Sequence, residues 1–533
     1  MKIQYLWVEE FKNLVRFEVD FTRTTNESCT VILGRNGLGK SNLLEALVVI
    51  FRDLYLGKAS SFAYKIRYTI RSSSVTVNIQ NRPKTEKIGS HFVFEVTEQG
   101  KRSFRCPLYD FKSKTERAIA PAWDYLPRHV FAYYSGPSDR LEEHFRPHQR
   151  KFYKELLNGK DSPFRPLFYA RPIHSNFVLL AFYTKPDEAV QKFLHDRLRI
   201  ESLETVLFVL RKPHWADRRE DGDPRFWRAI GTVQKFLSKL WDVTLTPMRV
   251  SGGIPDMFGR NKKTQFMYFR LDSLGALRKL ASQSTSAVDF FKELESTYMS
   301  DLIHETRIRV KVREVDGSLT FRELSEGEQQ LLTVVGLLRF TKQEESLFLL
   351  DEPDTHLNPA WGMEYLSILN SIADTGGDSQ IMIATHDPLM LAGLVKEQVI
   401  VLERDSTDAV RILARHPEVD PRGLGISGIL KSSMFGLSTT LDAPTQAKLD
   451  ERFRLAAKTE LDDEERVKLI ELSEELSNAG FAYEFSDDNY HRYARAVAQL
   501  RQESKPVLTR DEIIDLDAKA LAAVRKVMDE GTK

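Results

Sequence analysis

Apolar side chains recur at every second position from the start of the chain: Ile3, Tyr5 and Trp7, then Val15, Phe17 and Val19 alternating with Arg16, Glu18 and Asp20. A period of two predicts strands with one buried face. Cys29 to Leu33 reads as a third strand. From Asn42 the period lengthens, with Leu43, Leu44, Leu47, Val48 and Phe51 at helical spacing and Gly57 placed to end the helix. Short strands are expected over 65–110, with a hairpin at Glu98-Gln99-Gly100, whereas 138–300 reads as mainly helical, broken at Pro172, Pro213 and Ser251-Gly252-Gly253. Ile308, Val310 and Val312 lead through Asp316-Gly317 to Leu319 and Phe321, a hairpin signal. The apolar runs Leu347 to Leu350 and Ile381 to Ala384 have the pattern of parallel strands buried on both faces. Further on, Leu449, Phe453, Leu469, Leu472 and Leu476 suggest an apolar stripe on charged helices.

This order predicts an α/β chain, a mixed sheet flanked by helices, interrupted by a large mainly helical insertion and followed by a helical C-terminal region. The expected boundaries are 1–137 for a first lobe, 138–300 for the insertion, 301–442 for a second lobe and 443–533 for the tail, a candidate partner-binding region.

At 533 residues the chain exceeds one ordinary domain. Its apolar runs stop well short of the ~18 residues a membrane span needs, and the early Glu9 and Glu10 do not fit a signal peptide. A cytoplasmic chain without membrane contact is expected. Two cysteines, Cys29 and Cys106, exclude a disulfide framework and a four-cysteine metal site. The net charge of +1 conceals an asymmetry: 51–120 carry 14 Lys/Arg against 6 Asp/Glu, while 441–533 carry 15 against 21. The basic stretch is a candidate nucleic-acid surface, with a solvated sheet face as the alternative.

Gly34-Arg35-Asn36-Gly37-Leu38-Gly39-Lys40-Ser41, followed by Asn42, fits G-x-x-x-x-G-K-[ST] between a strand and a helix. Glycines there let backbone N–H groups turn toward the phosphates of ATP, Lys40 adds positive charge beside them, and the Ser41 hydroxyl can ligate Mg²⁺. The apolar strand that ends in Asp351-Glu352 supplies two carboxylates, Asp351 for the Mg²⁺ shell and Glu352 to polarise the attacking water. A second strand ends in Thr385-His386-Asp387, which puts His386 at the same carboxyl edge, within reach of the γ-phosphate. Leu324-Ser325-Glu326-Gly327-Glu328-Gln329-Gln330 precedes an apolar helix, so Ser325 and the Gly327 amide fall at a helix N-terminus, where an anion is favoured. A plain helix cap is the other reading.

In the order phosphate loop, Ser325 segment, Asp-Glu and His, the chain resembles the ABC ATPases, with Asp354-Thr355-His356-Leu357-Asn358-Pro359 in the place of their D-loop. The resemblance implies an ABC-type ATPase head that hydrolyses ATP with Mg²⁺. It also implies a homodimer or larger homo-oligomer, in which Ser325 and Gly327 serve the nucleotide held by the opposite subunit. The Q-loop glutamine is not placed, since Tyr133-Tyr134-Ser135-Gly136 stands where it would be sought. Phe11-Lys12-Asn13-Leu14 and Asp-Glu-Pro-Asp-Thr-His-Leu resemble the branch that holds the RecF, SMC and OLD proteins. The 283 positions between Ser41 and Leu324 are too many for a simple connection, but they lack the sustained heptads of SMC proteins. A RecF-like or SMC-like repair ATPase that binds DNA directly is one alternative. An OLD-like ATPase-nuclease is another, and its TOPRIM-type metal site is only superficially matched by Glu403, Asp405, Asp408 and Asp515-Leu516-Asp517. Chain length, ATPase blocks at both ends of the insertion, Tyr133 to Gly136 and Gly428 to Thr440 most resemble the Septu-type anti-phage ATPases, including versions found beside retrons. That likeness implies an HNH endonuclease partner under nucleotide control and, in retron versions, a reverse transcriptase with its RNA–DNA product.

Overall fold

Strands and helices are numbered in chain order. The computed structural model describes residues 1–24, 29–56, 60–71, 73–79, 93–98, 104–107, 125–160, 165–185, 187–255, 261–313, 318–340, 345–373, 379–458 and 460–479, with scattered positions from 509 to 525. The chain forms two units, Met1–Met390 with Glu397–His416, and Leu391–Lys396 with Pro417–Lys533.

The first unit holds three sheets. Alternating burial along β1 (Lys2–Phe11) and β2 (Leu14–Asp20) places them in a six-stranded antiparallel sheet of order β2-β1-β4-β5-β6-β7, with β4 Tyr64–Ile70, β5 Ser73–Ile79, β6 Val93–Glu98 and β7 Phe104–Pro107. The hairpin expected near Glu98 pairs Val93 with Pro107, and its turn residues Gln99 and Gly100 lie outside the described residues. A seven-stranded sheet runs β18 (Ile412–Arg415), β17 (Val399–Arg404), β3 (Cys29–Gly34), β16 (Gln380–Ala384), β15 (Ser346–Asp351), β8 (His129–Tyr134) and β9 (Leu167–Tyr169). Only the β17–β18 pair is antiparallel. β15 and β16 are buried along their whole length, which their continuous apolar runs require. Helix α1 (Lys40–Leu56) is buried without a break from Leu43 to Phe51, the pattern of a helix packed on all sides. Its Leu47 and Phe51 share one core with Leu6, Phe17 and Ile66 of the first sheet and Leu347 and Met382 of the second.

Among its described residues the insertion carries six helices: α2 (Arg140–Leu157), α3 (Ile173–Thr184), α4 (Glu188–Asp196), α5 (Gly231–Val243), α6 (Leu274–Ala281) and α7 (Ala287–Met299). It also carries strands that the helical reading missed. β10 (Ile200–Arg211), β11 (Met248–Pro255) and β12 (Asn261–Leu271) join β13 (Ile303–Val312) and β14 (Ser318–Thr320) in a five-stranded antiparallel sheet of order β11-β12-β10-β13-β14. Ser251-Gly252-Gly253, expected as a break, lies inside β11. β10 shifts register against β13 at three places, and such bulges turn a period of two into spacings of three and four, as at Leu203, Val206, Leu207 and Leu210. The β13–β14 hairpin pairs Lys311 with Ser318. Phe321 is not in its second strand, because a capping box between Thr320 and Glu323 starts a 3₁₀ turn at Phe321. Two further helices follow among the described residues, α8 (Glu326–Phe340) and α9 (Pro359–Ala373).

In the second unit α10 (Gly425–Lys431) precedes α11 (Ala443–Ala456) and α12 (Asp463–Asn478). Leu449 and Leu476 are buried, while Phe453, Leu469 and Leu472 of the expected stripe are half-buried. Lys468 and Glu451 tie the two helices at 2.9 Å.

Candidate functional site

At the carboxyl edge of the seven-stranded sheet, β3 ends at Gly34 and the chain turns into α1. Gly37 and Gly39 have φ of +83° and +88°, a region that side chains with a Cβ avoid. Gly39 is constrained a second time, since a Cβ there would meet Asn13 Oδ1 at 2.8 Å and Leu14 Cδ2 at 2.9 Å. Asn13, in the turn between β1 and β2, braces the loop. Its Nδ2 donates to the Gly37 carbonyl at 2.7 Å, and its Oδ1 accepts from Asn42 Nδ2 at 2.6 Å. Arg35, Asn36 and Gly37 form the exposed tip, whereas Lys40 is only 6% exposed. Lys40 Nζ donates to the Gly34 carbonyl at 2.7 Å. Burial lowers its pKa, against the charges of Glu352, Asp351 and Asp354. Among the described residues it is in no direct ion pair, so this loop presents a buried ammonium beside glycine-rich backbone, a fit for phosphate.

β15 delivers Asp351 level with Ala384 of β16 and Tyr134 of β8, and Ala384 is level with Ile32 of β3. Ser41 Oγ donates to Asp351 Oδ1 at 2.9 Å, and Arg140 Nη2 lies 3.4 Å from Asp351 Oδ2. Burial raises the Asp351 carboxyl to about 6, with Ser41 and Arg140 pulling the other way. A hydroxyl and a carboxylate are hard oxygen donors of the kind Mg²⁺ takes, so these residues fit that cation. Glu352 follows with φ of +52°, a left-handed backbone that costs about 1–3 kcal/mol in a residue with a Cβ. Its N–H donates to the Ala384 carbonyl at 2.8 Å, and its Oε1 stands 3.3 Å from His386 Nδ1. Glu352 and His386 are 29% and 55% exposed, open to water.

Ser325 and Gly327 have other neighbours. Ser325 Oγ accepts from the Glu328 N–H at 3.3 Å while Glu328 Oε2 accepts from the Ser325 N–H at 2.8 Å, a capping box at the start of α8. Gly327 is buried against the turn after Glu352, where a Cβ would come within 2.3 Å of the His356 carbonyl oxygen. Gln330 Nε2 donates to the Pro353 carbonyl in the same turn. The structure therefore gathers Lys40, Ser41, Asp351, Glu352 and His386 around the Gly34–Gly39 loop, caps the start of α8 with Ser325, and seats Gly327 on the 353–356 segment.

Three features had not been singled out. Asn13 belongs to a motif noticed for its resemblance, but its partner Gly37 lies 24 positions away. Arg140 meets Asp351 across 211 positions with no local pattern to announce it. Glu45 of α1 is held by Lys12 Nζ at 2.5 Å and by His144 Nε2 of α2. Where a Q-loop glutamine was sought, Ser135 donates its N–H to the Asp351 carbonyl at 3.3 Å, and its Oγ lies 3.0 Å from Thr355 Oγ1. Much of the basic 51–120 stretch lies outside the described residues. Within it Arg71 pairs with Glu345 and Arg52 with Asp53, both at 2.8 Å. β17, which carries Glu403, is the strand beside β3 in the seven-stranded sheet. Among the described residues no helix is long and apolar enough to cross a membrane.

Comparison with known proteins adds independent findings. The family model described as "AAA domain, putative AbiEii toxin, Type IV TA system" matches residues 29–392. The chain is similar to the Septu protein PtuA of Bacillus mycoides (strain KBAB4), with 26% identity over 188 residues, 34% of this chain and 24% of that protein. It is also similar to the Retron Vc95 probable ATPase of Vibrio cholerae serotype O1 biovar El Tor, with 21% identity over 408 residues, 71% of this chain and 70% of that protein. The match thus spans about a quarter of the length of the Septu relative. Among solved structures, the SMC head domain from Thermotoga maritima aligns at 12% identity and a TM-score of 0.33, covering 79% of this chain and 100% of that one. The Smc head domain derived from Pyrococcus furiosus aligns at 13% and 0.31, covering 78% and 96%.

Proposed function

The chain belongs to this AAA-domain family, and on that premise we propose that it binds and hydrolyses ATP with Mg²⁺ as the nucleotide-controlled component of an anti-phage defence system. The observation that carries the reading is the meeting of Ser41 and Asp351, 310 positions apart, at 2.9 Å beside the buried Lys40. Lys40 and the backbone of Gly34–Ser41 would hold the phosphates, and Ser41 and Asp351 would hold Mg²⁺. A bound Mg²⁺ supplies charge neutralisation at the transferred phosphoryl group. Glu352 polarises a water for attack, and His386, 3.3 Å from it, orients its carboxylate. Ser325 and Gly327, at the positive end of α8, act on the nucleotide of a second copy, which makes the working form a homodimer or larger assembly with composite sites. The resemblance to Septu-type and retron-associated ATPases extends the proposal to a role as scaffold for a partner HNH endonuclease, with 443–533 as the docking region. Where a retron accompanies the system, a reverse transcriptase and its RNA–DNA product join the same assembly.

Glu352→Gln and Lys40→Ala test the site. Glu352→Gln should bind ATP much as wild type does and hydrolyse it at least ~10²-fold more slowly. Lys40→Ala should bind ATP at least ~10-fold more weakly by calorimetry. Wild-type turnover in the first or wild-type affinity in the second would overturn the assignment.

A further inference from the structure

Arg140 opens α2, and its Nη2 sits 3.4 Å from the Asp351 oxygen that Ser41 leaves uncovered. Its guanidinium also lies over the Tyr134 ring, 5.4 Å from the centroid. The segment leaving β8 therefore doubles back and returns a cation to the strand end beside which it departed. Four residues along the helix, His144 bonds Glu45 of α1, which ties α2 to the helix behind the phosphate loop. The side chain of Arg140 is 38% exposed while Asp351 is 3% exposed, so the guanidinium approaches a buried carboxylate from the open side and can leave it without unpacking the core.

A divalent cation held by Ser41 and Asp351 would share one carboxylate with Arg140. Two cations on one anion repel at this range, and the repulsion is relieved when a second anion arrives with the metal. The terminal phosphate of ATP is such an anion, and ADP lacks it. Resting on the reading of this edge as an ATP site, we propose that Arg140 determines specificity for triphosphate over diphosphate: it pairs with Asp351 in the nucleotide-free chain and exchanges that carboxylate for the γ-phosphate of bound ATP. A guanidinium suits this exchange because its donors match carboxylate and phosphate alike. Because Arg140 is the first residue of the helix that enters the insertion, the exchange also transmits the identity of the nucleotide to that region.

The test is calorimetric titration of the full chain with Mg²⁺–ADP and with the Mg²⁺ complex of the non-hydrolysable β,γ-imido analogue of ATP. Wild type, Arg140→Ala, Arg140→Lys and Lys40→Ala are compared, each first checked for its circular dichroism spectrum. Arg140→Ala should lose ~10-fold or more of the preference for the analogue over ADP, with ADP binding unchanged or tighter. Arg140→Lys, which keeps the charge without the fork, should fall between it and wild type. An unchanged preference in both variants, or an equal loss of affinity for both nucleotides, overturns the proposal. If Arg140→Ala does not fold, an unchanged preference in Arg140→Lys overturns it alone. Lys40→Ala separates the two levels: if it binds both nucleotides as wild type does, the ATP-site reading itself fails. If it loses both while Arg140→Ala keeps its preference, only the role of Arg140 fails.

Discussion

Gly37 and Gly39 share a left-handed backbone but differ in what surrounds them. A Cβ at Gly37 meets nothing within 4 Å, whereas one at Gly39 runs into Asn13 and Leu14. Gly37→Ala should therefore cost only the backbone strain, about 1–2 kcal/mol. Gly39→Ala must also push the β1–β2 turn away, so a larger fall in melting temperature and a greater loss of ATP affinity are expected. Equal falls in the two variants would show that the brace by Asn13 is not what fixes the loop. The same residues mark how far the sequence could be read. The phosphate loop, Asp351-Glu352 and His386 were legible because their chemistry demands contiguous residues at the ends of strongly patterned strands. Asn13 as a brace and Arg140 as a partner of Asp351 were not, because each acts across a distance in sequence that no local period reports.

Among the elements, those with one clean period were legible and those with interrupted periods were not. α1 follows from its helical spacing and β15 from its unbroken apolar run, while the bulges of β10 hid a sheet whose three strands β10, β11 and β12 lie inside a region read as mainly helical. Helices α3 and α7 of that insertion meet at a buried ionic cluster. Glu295 accepts from Arg165 and, at 2.8 Å, from His174 Nε2, and the Arg171 N–H donates to His174 Nδ1 at 2.7 Å, which fixes the His174 proton on Nε2. Burial alone would raise the Glu295 carboxyl, but the Arg165 charge and His174 more than offset it and hold it at about 2, below its ordinary 4.5. The unfolded chain therefore takes up this proton first as pH falls. The contribution of Glu295 to stability is present above pH ~4.5 and is lost between there and ~2. Glu295→Gln strands Arg165 without its counter-charge and should cost about 3–5 kcal/mol at neutral pH. The gap in melting temperature between it and wild type should narrow below pH ~4.5, and a constant gap would mean that Glu295 is not ionised in the folded chain.

For the whole molecule, the proposed pairing of two copies rests on Ser325 and Gly327, whose neighbours in their own chain are Glu328 and the 353–356 turn. Ser325 is exposed, and losing its cap costs only ~1 kcal/mol, so Ser325→Arg should fold. It should bind ATP nearly as wild type does and lose at least ~10²-fold in hydrolysis, since it removes a donor at the opposite copy's phosphates. Normal hydrolysis by a variant that sediments as a monomer would refute the two-copy site.

The seat of Gly327 on the His356 carbonyl and the bond from Gln330 to Pro353 join the start of α8 directly to the turn that begins at Glu352. If two copies pair as proposed, the segment facing the partner's phosphates is in direct contact with the turn that follows the proposed water-polarising carboxylate of its own site. Occupancy of one site would then be felt at the other, and the two turnovers would not be independent events. Steady-state hydrolysis should rise sigmoidally with ATP, with a Hill coefficient above one, and a pair containing a single Lys40→Ala copy should work at well under half the wild-type rate.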